Sequence, residues 1–113
     1  MYWQCIDNYR KISYNKNMDK FKYKIIKINS KKFIFKLDLN PITNDYDYHI
    51  YIRHLVTPEQ AISAFFTKTT DVYNKKYDRQ ELYSESLNIV VFYKELSPDI
   101  LIITAFFEGG LND

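Results

Sequence analysis

Apolar and polar residues alternate along much of this chain, and one segment near the middle departs from that period. Phe21, Tyr23 and Ile25 alternate with Lys22 and Lys24, the two-residue period of a strand. Asn29-Ser30-Lys31 has turn composition. Phe33, Phe35, Leu37 and Leu39 then alternate with Ile34, Lys36 and Asp38, which predicts a half-buried strand paired with the first as a hairpin. Asn40-Pro41 and the polar run Thr43 to Asp47 read as a break in the sheet. His49 to Leu55 reads as a further strand, with Ile50, Ile52 and His54 on one face and His49, Tyr51 and Arg53 on the other.

The period lengthens at Thr57-Pro58-Glu59-Gln60. Thr57 suits an N-cap, Pro58 the first turn, and Gln60 closes a capping box. Val56 and Ala61 occupy the positions of a hydrophobic staple. Ala61, Ile62, Phe65 and Phe66 form an apolar stripe expected to face the core, and the helix is expected to end near Thr67–Thr70. Asp71 to Asp78 reads as loop. Gln80, Leu82 and Ser84 alternate with Arg79, Glu81 and Tyr83 in a strand. Leu87 to Leu96 is apolar enough for a central strand, Ser97-Pro98-Asp99 is a turn, and Ile100 to Phe107 is a last strand inside the sheet.

These elements predict one α+β domain over residues 21–113. It should be a twisted, mostly antiparallel sheet of about five strands with one main capped helix packed on one face. Residues 1–20 are polar and weakly periodic and read as an arm or a short helix. A length of 113 residues suits one core and is too short for two.

Composition narrows the class. At 46% hydrophobic and 18% aromatic the chain is expected to fold rather than stay disordered. Cys5 is the only cysteine, so no internal disulfide can form and a thiolate zinc site lacks ligands. Residues 1–12 contain no continuous apolar segment, so no signal peptide is expected. Ile100 to Phe107 is far too short to span a membrane. A reducing, cytoplasmic setting is the expectation. Charge is uneven: residues 1–36 hold ten Lys or Arg against two acidic residues, and the remainder holds six against twelve. Lys22, Lys24, Lys27, Lys31 and Lys32 are therefore either the exposed side of a hairpin or a strip that follows an RNA backbone.

The candidate chemistry is RNA cleavage without a metal. It needs a base for the 2′-OH proton, an acid for the leaving 5′-oxygen, and donors for the charge developing on phosphorus. His54 has the intrinsic pKa range for proton transfer. Arg79 can hold a phosphate by two parallel hydrogen bonds. Thr104 and Tyr83 supply hydroxyls. Each also has a plain reading: His54 as a strand-end residue, Arg79 paired with Glu81 or Asp78, Thr104 as an ordinary strand residue. A second enzyme reading places Asp45, Asp47 and His49 on one strand face as ligands of a divalent ion, against the plain reading of a solvated turn.

The run of Arg53-His54, the Thr57-Pro58-Glu59 helix, the Arg79-Gln80-Glu81-Leu82-Tyr83 strand, a Val-rich strand and Ile102-Ile103-Thr104-Ala105-Phe106 resembles the barnase–EndoU–colicin–RelE group of small RNases. The resemblance is to its phage- and mobile-element-associated subset and covers about residues 49–107, roughly half the chain. It implies a metal-independent endoribonuclease toxin that needs no cofactor. The substrate would be RNA (a tRNA or mRNA), and the partner a cognate antitoxin or immunity protein. His54, Arg79 and Thr104 match the group's positions; Tyr83 is a further candidate. Phe106 departs from the group by lacking a Tyr hydroxyl, and the acidic second half is unusual for an RNA binder. Both departures also suit a non-catalytic interaction module, the alternative reading.

Overall fold

The computed structural model describes residues 5–6 and 22–109. The elements are β1 (Cys5–Ile6), β2 (Lys22–Ile28), β3 (Lys31–Asn40), β4 (Asp45–Tyr48), α1 (His49–His54), α2 (Pro58–Phe66), β5 (Thr70–Asn74), β6 (Arg79–Ser84), β7 (Ile89–Glu95) and β8 (Ile100–Phe107). Apart from β1, the expected N-terminal arm lies outside the described residues.

The β2–β3 hairpin forms as the alternation predicts, around a two-residue turn. Asn29 and Ser30 both have positive φ, 52° and 67°, the geometry that matches the right-handed twist of paired strands. The sheet runs β1-β2-β3-β8-β7-β6-β5, with β4 paired to the far end of β3. This is larger than the five strands expected, and it is mixed: β3 and β8 run parallel. Two segments read as breaks are strands. Thr43 to Asp47 turns back into β4, because Asn44 takes a positive φ of 62° and its N–H closes the turn on the Asn40 carbonyl at 2.8 Å. Asp71 to Asn74 pairs with β6 as β5. Its side chains are mostly polar, so no apolar period marks it.

The larger correction concerns His49 to His54, which is helix α1 and not a strand. Its β-branched residues favour a strand locally, and tertiary context overrides that preference. β8 pairs with β3 only from Phe33 to Phe35, while β4 occupies the same edge from Leu37 to Asn40. α1 packs against both β3 and β8, where the two parallel strands separate. Ile50 anchors it at 3% exposure. Leu55, at φ 61°, ends it with its N–H bonded to the Tyr51 carbonyl.

α2 matches its prediction. Thr57 accepts from the Gln60 N–H at 3.2 Å, and the Gln60 side chain accepts from the Thr57 N–H at 2.9 Å. Val56 and Ala61 are fully buried beside it. The helix packs across β6 and β7. Phe65 meets Phe33 and Tyr93 edge-on, each at 5.3 Å. Phe66, expected in the core, is 46% exposed and meets Phe33 and Phe65 edge-on, at 5.9 and 5.3 Å. The main core joins Ile26, Phe33 and Phe35 to Ile62, Leu82, Val91, Ile100 and Ala105. A smaller cluster of Tyr23, Ile25 and Ile34 lies on the opposite face of the β2–β3 hairpin.

Candidate functional site

Strand alternation decides where the predicted residues point. In β6, Leu82 and Ser84 are buried toward α2, so Arg79, Glu81 and Tyr83 belong to the other, open face. In β7, Ile89, Val91 and Tyr93 are buried, which leaves Val90, Phe92 and Lys94 on the open face. β8 would place Thr104 with Ile100 and Ile102 on the core side if it were regular. It is not regular. Tyr93 pairs with Ile102 but Phe92 pairs with Thr104, so Ile103 is an extra residue. This β-bulge reverses the phase: Ala105 becomes fully buried, and Thr104 and Phe106 turn to the open face.

The open face therefore carries Arg79, Tyr83 and Thr104 together. Around them runs a row of rings. The Arg79 guanidinium lies 3.9 Å from the centre of the Phe92 ring and 4.5 Å from that of Tyr77. Phe92 meets Phe106 edge-on at 5.3 Å, and Phe106 meets the His54 imidazole at 5.8 Å. His54 and Arg79 thus occupy the two ends of the row with two phenyl rings between them. They are not brought to a common contact. Thr104 flanks Phe92 on the neighbouring strand, and the Tyr83 hydroxyl donates to Asn88 at 3.2 Å.

Arg79 is held firmly. Its Nε donates to Glu81 at 2.8 Å, as the plain reading anticipated, and the Asn74 amide donates to the same carboxylate oxygen at 2.9 Å. These two donors hold the Glu81 carboxyl below its ordinary value, Arg79 contributing most. The guanidinium edge formed by its two terminal nitrogens has no partner among the described residues, and that edge is the part left to receive an anion.

His54 ends α1 half-buried, and its imidazole makes no hydrogen bond to a described residue. Its imidazole is held below the ordinary histidine value, first by burial and then by His49 and Arg53. A ring kept neutral near pH 7 can accept a proton. His49 opens the same helix, and its Nδ1 is in short contact with Asp38 on β3. No periodic signal marks this pair: with 49–54 read as a strand, His49 and His54 fall on opposite faces, and Asp38 is one of the residues alternating with the apolar side of the β3 strand.

Asp45 and Asp47 lie on β4, but the Asp47 carboxylate accepts the Tyr48 N–H and His49 turns to Asp38. Among the described residues no three such side chains gather as metal ligands. The five lysines divide between the faces. Lys22, Lys24 and Lys31 share the strand parity of the core residues Ile26 and Phe33, while Lys27 and Lys32 share that of Ile25 and Ile34. A cleft of about 450 Å³ opens between the β2–β3 turn and α2, lined among others by Asn29, Ile62 and Phe66. None of His54, Arg79, Tyr83 or Thr104 borders it. No described helix is long and apolar enough to cross a membrane. No protein-family model matches the chain, and neither does any curated protein or solved structure.

Proposed function

We propose that this chain is a metal-independent endoribonuclease that lays single-stranded RNA across the open face of its sheet. The observation that carries this reading is the continuous row from Arg79 through Phe92 and Phe106 to His54. It combines a fixed cation, aromatic surface and a neutral imidazole on one accessible surface. Aromatic sheet faces of this kind suit unstacked bases, and arginine edges suit phosphates. His54 serves proton transfer at the scissile phosphate, with Thr104 as a neighbouring donor. Arg79, two rings away, holds an adjacent phosphate rather than the scissile one. The products are a 2′,3′-cyclic phosphate and a 5′-hydroxyl.

The test is expression of the wild type beside His54→Ala and Arg79→Ala, with growth and RNA fragmentation scored, followed by cleavage with purified protein. Loss of a positioned proton-transfer group costs about 10²–10⁴-fold in rate, so His54→Ala should nearly abolish cleavage. Arg79→Lys should bind RNA poorly, because a point charge reproduces neither the flat contact with the Phe92 and Tyr77 rings nor the open guanidinium edge. Cleavage should survive EDTA.

One observation favours the non-catalytic module instead. Arg79 is already neutralised by Glu81, and a guanidinium committed to a carboxylate is a common structural element. Absence of cleavage by folded wild type, with and without ribosomes, would select that reading.

A further inference from the structure

We propose that two copies of this chain join through unlike surfaces, the β3–β4 tip of one docking in the cleft between α2 and the β2–β3 turn of the other. The inference is independent of the endoribonuclease reading. It begins with apolar side chains left in water. Ile42, in the loop between β3 and β4, is 92% exposed. The cross-strand pair Leu39 and Tyr46 behind it is 51% and 52% exposed. Single exposed apolar residues are ordinary, but three on one hairpin make a patch. The loop is also fixed before it meets anything. The Ile42 N–H donates to the Asn40 side-chain oxygen at 2.9 Å, and the Asn44 N–H to the Asn40 carbonyl at 2.8 Å. A tip already ordered loses little entropy on docking.

The cleft supplies the complement. It encloses about 450 Å³, and its apolar lining comes from Ile28, Ile62 and the exposed Phe66. Its polar lining residues Lys27, Asn29 and Thr67 are exposed. A small-molecule pocket instead places a few polar groups inside to fix orientation. An apolar opening with a polar rim suits a protruding apolar side chain of a protein surface. Charge matches as well. Residues 38–47 contain Asp38, Asp45 and Asp47 and no Lys or Arg, although Lys22 reaches over the Tyr46 ring at 4.2 Å. On the cleft side, Lys27 lines the opening and Lys31 pairs with Ile28 across the hairpin. Glu59, the sole carboxylate of β2 and α2, sits in the first turn of α2, at the far end from Phe66. An acidic, apolar tip thus faces a basic, apolar cleft.

The occupant follows from where the two surfaces lie. The β2–β3 turn precedes β3 and the tip follows it. Ten extended residues separate them by about 30 Å, so no chain can fill its own cleft. Every copy carries both halves of the contact, which commits the partner to a second copy.

The deciding experiment mixes two variants, each with one surface spoiled. By sedimentation and light scattering, the mass of the wild type should rise with concentration from micromolar to millimolar. Ile42→Asn spoils the tip and keeps the cleft; Phe66→Asn spoils the cleft and keeps the tip. Each alone should associate about 10–100-fold more weakly, the loss expected for one buried apolar side chain. Mixed, they should regain wild-type affinity and form a one-to-one dimer, because the intact tip of one meets the intact cleft of the other. Ile42 is exposed enough to be replaced without harm to the fold. If circular dichroism shows Phe66→Asn unfolded, Lys27→Glu, at an exposed rim position, takes its place by repelling Asp45. A wild type that stays monomeric over the whole range would overturn the proposal. So would variants that associate as well as the wild type, or a mixture that associates no better than either variant alone.

Discussion

At the residue scale, His54 offers a test that does not depend on RNA. Its folded-state pKa lies below 6.5, chiefly from burial, and then from His49 and Arg53. Above the unfolded value both states hold a neutral ring, and the group costs nothing. As pH falls through that value, the unfolded chain binds a proton that the folded ring resists, so stability is lost toward the folded pKa. Urea midpoints of wild type and His54→Gln, measured from pH 7.5 to 5, should therefore diverge in the variant's favour as pH drops. Parallel curves would show that the ring is not held neutral by the fold. In His49→Gln one of the opposing charges is gone, and His54 should titrate closer to its ordinary value by NMR.

At the scale of elements, the sequence was legible wherever a local rule and the tertiary setting agreed. The Thr57 capping box is visible because its partners are three residues apart, and β6 and β8 because their apolar residues mark them. The failures are non-local. The helical state of His49–His54 depends on β3 and β8 separating, and the direction of Thr104 depends on a bulge opposite Phe92 and Tyr93. Of the candidate site, Arg79 and Tyr83 could be placed on one face from β6 alone. The Asp38–His49 contact joins residues on different elements and leaves no periodic trace. The α2 stripe gives a paired prediction. Phe65 is 7% exposed and meets three rings, whereas Phe66 is 46% exposed. Phe65→Ala should cost about 3–5 kcal/mol in chemical denaturation, and Phe66→Ala under about 1 kcal/mol. Similar losses at both would show that the two faces of α2 are wrongly assigned.

At the scale of the whole molecule, the uneven charge of the sequence resolves into a question of faces. The basic hairpin and Arg79 are at different places on one sheet, with β8 and β7 between β3 and β6. Pairing from Ile34 to Leu101 and from Leu101 to Lys94 shows that Lys32, which has the parity of Ile34, lies on the same side of the sheet as Arg79, beyond the buried cluster of Tyr23, Ile25 and Ile34. Lys31 is adjacent in sequence but points with Phe33 to the α2 side. A single-stranded RNA that runs from Arg79 past this cluster, on the same side of the sheet, would meet Lys32 and miss Lys31. Each phosphate contact contributes about 0.7 to the slope of log affinity against log salt for single strands. Lys32→Gln should therefore flatten that slope by about 0.7, and Lys31→Gln, an identical change of net charge one residue away, should leave it unaltered. The measurement is fluorescence anisotropy with a labelled oligoribonucleotide over a range of salt. Equal effects at the two positions would mean that the hairpin acts only through its summed charge. A slope near zero in the wild type would remove the hairpin from RNA binding and leave its lysines as the solvated side of two strands.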